Sequence, residues 1–515
     1  MELSMNESVP DLVARVAAAH PDRPAVRDGQ GLVSYRELVE GADRWEAALR
    51  GRGVAPGDTV AVCLPRAAVT LQAVLGIWRT GAVLVPLDPG HPVARWQFVL
   101  ADCRARAVVC TKELAPRLRE ACGSTPARGR TDVVTVEGID ADHPPRALSA
   151  TPSTPSTTPV DPYSPAYVLY TSGSTGVPKG VRVRHGALAH YVGCAGQLYE
   201  GASGPAPWHS PLAFDATVTS LWVPLTHGGE VWPVPGSDPL SGLEGLAKLL
   251  TAPVDIGILK ITPTHLEALG NWLGPEGTPA AITSLVIGGE ALRADQVRPW
   301  LAKCTQIVNE YGPTESTVGV VVASVKPEHV AHGAIPIGWP LPGTEILLRE
   351  SSGAVPGPGE PGELCVAGPQ LADGYLNRPE LTEERFPPHP LRPGERMYRT
   401  GDLAMAGRDG ELYYAGRIDE QIKFRGQRIE PGEIETVMCG HSEIGQAAVV
   451  VREDRLVAYV VPREGGAAPG LLALTGYLAD LLPPALVPQQ VLTVRELPVT
   501  PNGKLDRNAL RDRKL

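Results

Sequence analysis

Residues 170–180 read YTSGSTGVPKG, and their side chains make one chemical set. Thr171, Ser172, Ser174 and Thr175 offer short hydroxyl donors, Gly173 and Gly176 permit a tight backbone, and Lys179 adds a mobile ammonium. A chain of phosphates needs many close donors and a positive charge. The pattern is not the GxxxxGK[ST] loop, because Lys179 comes too soon after Gly176 and Gly180 stands where that loop has Ser or Thr. Two readings stay open here, a plain flexible loop and a phosphate loop of another design.

Such a loop works only if its neighbours aim it. The strand-like AYVLY precedes it and RHGALAHYVG, with helical character, follows, so backbone N–H groups of the loop could face an anion. Upstream, helical patterns at Tyr35–Arg50 and Ala67–Thr80 alternate with short apolar runs such as TVAVCL and AVLVPL, which predicts α/β units on a largely parallel sheet. The alternation continues through GGEVWPV, DIGILKIT, SLVIGGE and QIVNEYG. Beyond about 345 come Gly/Pro turns with short strands (EILLRE, GELCVAG, GELYYAG), a β-rich segment. The last residues predict a small α+β unit: helices at PGEIETVMCG and LLALTGYLADLL, strands at AAVVVRE and LVAYVVP. SATPSTPSTTPVDP (149–162) buries little and reads as a surface linker. The expected division is 1–418 for a large α/β domain with a β-rich subdomain, and 419–515 for the small one.

Composition bounds the rest. A chain of 515 residues with 43% hydrophobic and 20% charged residues can bury a large core. Its net charge of -10 argues against a general nucleic-acid binder. No apolar run is long enough to span a membrane, the N-terminus lacks a signal-peptide pattern, and eight cysteines stand without CxxC spacing. The expectation is a soluble cytoplasmic protein. Of 47 basic residues only nine are lysines, so each retained lysine hints at a need for a compact ammonium.

Four further stretches follow the loop in order: NEYGPTEST (309–317), YRTGDLA (398–404), GRIDEQIKFRGQRIE (416–430) and NGKLDR (502–507). Together with YTSGSTGVPKG, SYREL (34–38) and VPLDPGHP (85–92), they resemble the ordered core motifs of the adenylate-forming superfamily. Within it the chain is similar to the amino-acid adenylation domains of nonribosomal peptide synthesis. The resemblance implies ATP and Mg²⁺ as cofactors. It places the β- and γ-phosphates in the 171–179 loop, and lines the adenine pocket with Gly288, Gly289 and Glu290. Tyr311 would stack on adenine, Thr314 would meet the α-phosphate and Glu315 would ligate Mg²⁺. Asp402 would take the ribose hydroxyls, with Tyr414 and Arg417 completing the nucleotide site. Lys504 would be the catalytic lysine, bridging the substrate carboxylate and the α-phosphate. Asp419 would be the hinge of a mobile small domain, presenting Lys504 in one orientation and the Lys423–Gly426 loop in the other.

The same resemblance places a substrate pocket at Asp215, Ala216, Thr219, Lys260, Val286, Gly288, Glu310, Val318, Gly319 and Lys504. Asp215 would pair with an α-ammonium, which favours an amino acid over an acyl or aryl acid; a helix N-cap is the other reading of that Asp. Lys260 and Glu310 together complement one primary amide, so asparagine fits better than aspartate. A pairing of the two with each other is the other reading, and a β-substituted Asn or Asp stays open as substrate. With no carrier or condensation motif in the chain, a free-standing enzyme is expected, loading a phosphopantetheinylated carrier protein in trans with or without an MbtH-like helper. The rival readings are an acyl- or aryl-CoA ligase of this fold and an inactive nucleotide-binding homologue.

Overall fold

Buried apolar runs between helices form parallel strands, because a strand covered on both faces need not alternate. In the computed structural model, which describes residues 7–123, 131–136, 159–173, 176–236, 239–274, 278–350, 352–357, 359–425, 427–453, 455–463, 469–499 and 505–512, two such sheets dominate. One has seven strands in the order Gly374–Tyr375, Lys179–Arg184, Pro165–Thr171, Val83–Pro86, Thr59–Cys63, Ala107–Thr111, Asp132–Val136, with the last five parallel. The other runs Asp255–Ile261, Ala281–Gly288, Cys304–Tyr311, all parallel, then Val321–Ser324 and Trp339–Pro340, antiparallel. A four-stranded sheet, Gly31–Ser34, Pro24–Asp28, Glu230–Pro233 and Pro205–Trp208, completes these layers.

The helices seat as their patterns predict. Tyr35–Gly51 starts with a capping box, in which the Ser34 hydroxyl accepts from the Glu37 N–H and the Glu37 carboxylate accepts from the Ser34 N–H. Its apolar face packs on Ala68–Arg79. There Trp78 is buried against Trp222, ring centroids 4.9 Å apart, and its indole N–H donates to the Ala166 carbonyl at 2.7 Å. That bond anchors the strand that ends in the 171–179 loop.

The β-rich segment is an antiparallel sheet, Glu345–Arg349, Gly362–Ala367, Met397–Ala406, Leu412–Arg417. After it the chain makes a hairpin, Ile422–Phe424 with Gln427–Ile429, then the helix Pro431–Cys439. A three-stranded sheet (Ile444–Arg452, Arg455–Pro462, Gln490–Thr493) carries that helix and Leu471–Ala479 on one face, over a core with Phe424, Ile429, Ile434 and Leu478. Leu505 and Leu510 pack on the other face. The fold is α/β, a large N-terminal and a small C-terminal unit. No helix among the described residues is long and apolar enough to cross a membrane. Most of the 149–162 stretch, and Ser174, Thr175, Gly426 and Lys504, lie outside the described residues.

Candidate active site

Ligand clefts in open α/β sheets form at the carboxyl ends of the strands. Here Lys260 pairs with Val286 and Gly288 with Glu310, so the period of two puts Lys260, Gly288 and Glu310 on one sheet face. The strand Asp255–Ile261 stops because Thr262 and Pro263 begin a helix, with the Thr262 hydroxyl accepting from the His265 N–H. Beside them opens a cavity lined by Thr171, Ser172, Asp215, Ala216, Lys260, Gly288, Gly289, Glu310, Thr314, Val318, Asp402 and Arg417. Lys423, Arg425, Gln427 and Arg428 of the small unit's hairpin close it.

On the floor, Lys260 and Glu310 form a buried ion pair through Glu310 Oε2. Glu310 Oε1 accepts from the Tyr191 hydroxyl at 2.8 Å and from the Tyr199 hydroxyl. Tyr191 in turn shares a 2.6 Å hydrogen bond with Thr219. A Cβ on Gly288 would meet the Glu310 carbonyl oxygen at 2.5 Å, and one on Gly319 would meet Glu310 Cδ at 2.5 Å. Both positions therefore need glycine for the close approach. Thr219, Val286 and Gly319 sit behind the cavity wall and not in it.

At the other end, Asp215 Oδ2 accepts from the Thr314 hydroxyl at 2.5 Å. Burial raises the Asp215 pKa, partly offset by that bond. Asp215 is not the N-cap of Thr217–Thr226; Ala216 holds that position without a side-chain cap. The loop after Thr314 is strained: Thr317 and Val318, both β-branched, have φ of 59° and 68°. Gln370 Nε2 holds it by donating to the Gly319 carbonyl at 2.7 Å, while the Thr317 hydroxyl donates to the Gln370 carbonyl at 2.7 Å. Strain kept in place by surrounding bonds is a feature of functional loops.

Glu315 is fully buried and its carboxylate has three partners. The Tyr375 hydroxyl donates at 2.8 Å, Lys179 Nζ stands at 3.1 Å, and Arg428 NH1 donates at 2.8 Å. Burial alone would raise its pKa, but Arg428 and Lys179 hold it well below the usual carboxylate range. Burial pushes the Lys179 ammonium down to about 8 despite Glu315. Thr171 Oγ1 is buried in the cavity wall with no hydrogen-bond partner among the described residues, and the Ser172 hydroxyl donates to the Arg428 carbonyl. The ionised Glu315 carboxylate of the Thr314–Ser316 turn, the Lys179 ammonium and the Thr171 hydroxyl beside the 171–179 loop together fit a metal-bound phosphate chain.

Asp402 Oδ2 accepts from the Tyr311 hydroxyl at 2.7 Å, and Oδ1 accepts from Arg417 NH1 at 2.5 Å and, more loosely, from Tyr414 at 3.4 Å. Arg417 also clasps Asp419 with Nε at 2.6 Å and NH2 at 2.8 Å. Gly289, Glu290, Tyr311, Tyr414 and Lys423 line an adjoining cavity. The Glu290 carboxylate accepts from the Thr264 N–H and hydroxyl, at 2.9 and 2.7 Å, so it braces the helix Pro263–Leu273.

Sequence reasoning missed Tyr191, Tyr199, Tyr375, Gln370 and Arg428. Arg428 alone had a signal, its place inside GRIDEQIKFRGQRIE.

The family model "AMP-binding enzyme" matches residues 13–376, and "AMP-binding enzyme C-terminal domain" matches 433–504. Tyrocidine synthase 3 of Brevibacillus parabrevis is 35% identical over 99% of this chain, which spans 8% of that synthase. Among solved structures, the amide bond synthetase McbA from Marinactinospora thermotolerans superposes with a TM-score of 0.82 at 25% identity, covering 97% of this chain and 99% of that one. The NRPS protein PA1221, containing adenylation and PCP domains and bound to a vinylsulfonamide inhibitor, gives 0.79 at 26% identity, over 99% and 84% of the two chains.

Proposed function

We propose, for a chain that belongs to the AMP-binding enzyme family and is an adenylating ligase of the nonribosomal peptide synthetase kind, that its substrate is an α-amino acid with an uncharged polar side chain, L-asparagine or a close analogue. One observation carries this reading: the same cavity wall bears Asp215 and the Lys260–Glu310 pair. Asp215 answers an α-ammonium, and it counts against an acyl- or aryl-acid substrate. Lys260 keeps protons beyond the one given to Glu310, and Glu310 Oε2 keeps a lone pair. A primary amide meets both, carbonyl to Lys260 and NH₂ to Glu310. A carboxylate would meet Lys260 but face Glu310.

In the first half-reaction a substrate carboxylate oxygen attacks the α-phosphorus of ATP. The bond from that phosphorus to the bridging oxygen breaks, leaving aminoacyl-AMP and pyrophosphate. Thr171, Ser172 and Lys179 hold the leaving phosphates. Mg²⁺, when bound, neutralises their charge, and Glu315 would hold it. Lys504, assigned by its motif, stabilises the charge that develops between carboxylate and phosphate. In the second half-reaction the phosphopantetheine thiol of a carrier protein attacks the acyl carbon, the bond to AMP breaks and the thiol proton leaves to water. Residues 1–418 and 419–515 form the two moving parts, with Asp419 as hinge. Lys423, Arg425 and Gln427 of the hairpin lie against the cavity, which suits the thiol step.

The test is amino-acid-dependent ATP–pyrophosphate exchange against Asn, Asp, Gln, β-hydroxy-Asn and aryl acids, with and without an MbtH-like helper. Exchange with Asn well above Asp supports the pocket, and its loss in Lys504→Ala with ATP binding intact supports the catalytic lysine. Exchange with another amino acid discards the pocket, and CoA-dependent product from an aryl acid discards the amino-acid reading.

A further inference from the structure

Two phenols stand behind the ion pair on the cavity floor. Tyr191 lies in the helix His185–Leu198, Tyr199 caps its end, and both are buried. Neither lines the cavity. Their hydroxyls converge on a single oxygen of a residue that does: Glu310 Oε1 accepts from Tyr191 at 2.8 Å and from Tyr199. Gly319 presses on the same carboxylate, since a Cβ there would come within 2.6 Å of Oε1.

Protons and lone pairs give this cluster a direction. A carboxylate has about four acceptor sites, two on each oxygen. The phenols fill both on Oε1 and Lys260 takes one on Oε2, so one remains. Burial, and then the Glu310 charge, raise both phenol pKa values well above the ordinary range, which keeps both hydroxyls as donors. Tyr191 spends its one proton on Glu310, so Thr219 must donate the 2.6 Å bond that joins those two hydroxyls. Thr219, buried in Thr217–Thr226 behind the wall, thus meets the carboxylate through Tyr191. Phenols that merely satisfied a buried charge would serve equally on either oxygen. Here both sit on the one that Lys260 does not hold.

We propose that Tyr191 and Tyr199, with Thr219 acting through Tyr191, are specificity-positioning residues: by filling Oε1 they leave a single acceptor, on Oε2 beside Lys260, for the NH₂ of a side-chain primary amide. The proposal rests on the reading of Lys260 and Glu310 as the amide-binding pair. The amide is held alike in the bound substrate and in the transition state, so loss of a phenol shows in KM and leaves kcat nearly unchanged. An amino acid without a side-chain amide does not feel the loss.

The experiment is ATP–pyrophosphate exchange with Asn, Asp and α-aminobutyrate, which has no side-chain amide. It compares wild type with Tyr191→Phe, Tyr199→Phe, Thr219→Val, Thr219→Ser, the double variant Tyr191→Phe/Thr219→Val, and Glu310→Gln. Each phenylalanine variant is expected to lower kcat/KM for Asn relative to α-aminobutyrate roughly three- to thirty-fold, through KM. The KM for ATP should stay within about two-fold of wild type. Thr219→Val is expected to lower the same ratio roughly two- to five-fold, and Thr219→Ser to keep it. In the Tyr191→Phe background Thr219→Val should add nothing, because the two residues act in series. Equal losses for Asn and α-aminobutyrate mark a merely structural role and overturn the proposal. Additive losses in the double variant overturn the path through Tyr191. If Glu310→Gln moves the Asn-to-Asp ratio while the phenylalanine variants leave Asn against α-aminobutyrate at its wild-type value, the amide reading stands and the proposal falls. If Glu310→Gln moves no ratio, the amide reading falls and the proposal with it. Where a phenylalanine variant does not fold, the Thr219 pair decides: an unchanged ratio in Thr219→Val overturns the proposal.

Discussion

The Lys423 ammonium stands 5.2 Å over the ring of Tyr311 and 3.5 Å from Asp402 Oδ2. It also lies 5.2 Å over Tyr414. The surface proposed for adenine and ribose thus holds a cation when the small unit is docked, by ring and carboxylate attraction alike. Burial lowers the Lys423 pKa, and Asp402 opposes that shift.

If Asp402 takes the ribose hydroxyls, Asp402→Asn removes a charged acceptor and leaves Arg417 short of a partner. Hydrogen bonds to charged groups contribute about 1.5–3 kcal/mol each, so the KM for ATP should rise about ten- to a hundred-fold. Exchange assays at saturating amino acid measure this. An unchanged KM would remove Asp402 from the nucleoside site.

Lys179 titrates near pH 8 in the ligand-free protein, and a phosphate chain needs its charged form. Since kcat/KM for ATP reports the free enzyme, it should fall as pH rises through about 8. Lys179→Arg should move the fall upward. Stability has the opposite sign. Between about 8 and the ordinary 10.5 the folded chain binds fewer protons at Lys179 than the unfolded one, so this group's contribution to stability grows with pH there. A profile flat to pH 9.5 in wild type would contradict the assignment.

Asp215→Asn tests the α-ammonium contact. Its loss of a charge-assisted pair should raise the amino-acid KM about ten- to a hundred-fold while the KM for ATP stays within about two-fold. Thr314 keeps an acceptor in the amide, so the loop should hold its shape. Equal rises for both substrates would point to collapse of the Thr314 loop in place of a lost contact.

How much of this was legible in the sequence depended on distance along the chain. The strand before YTSGSTGVPKG, the helix after it and the parallel strands carrying Lys260, Gly288 and Glu310 all follow from local pattern. The helix His185–Leu198 was legible as a helix, yet nothing in it singled out Tyr191, since its residues are buried on nearly every side. Tyr191 and Tyr199 act on Glu310 across 119 and 111 positions. Such pairs exist only once the layers are assembled. The placement of Lys423 over Tyr311 depends further on how two units meet, which no local period encodes.

The Lys260–Glu310 pair makes the sharpest test of the pocket, because its two roles separate. As structure, it is a buried pair whose breakage leaves one charge uncompensated, so Lys260→Met or Glu310→Leu alone should cost about 3–5 kcal/mol. The double variant should cost less than the sum of the two. As recognition, Glu310→Gln can keep its carbonyl as the acceptor for Tyr191 and Tyr199 while it removes both the charge that repels a substrate carboxylate and the counter-charge of Lys260. It should therefore raise Asp over Asn in kcat/KM by roughly ten-fold or more, at a cost in stability that bound Asp, whose carboxylate answers Lys260, partly restores. A coupling in stability with no change in that ratio would leave the pair as scaffold and return the choice of amino acid to other residues of the wall.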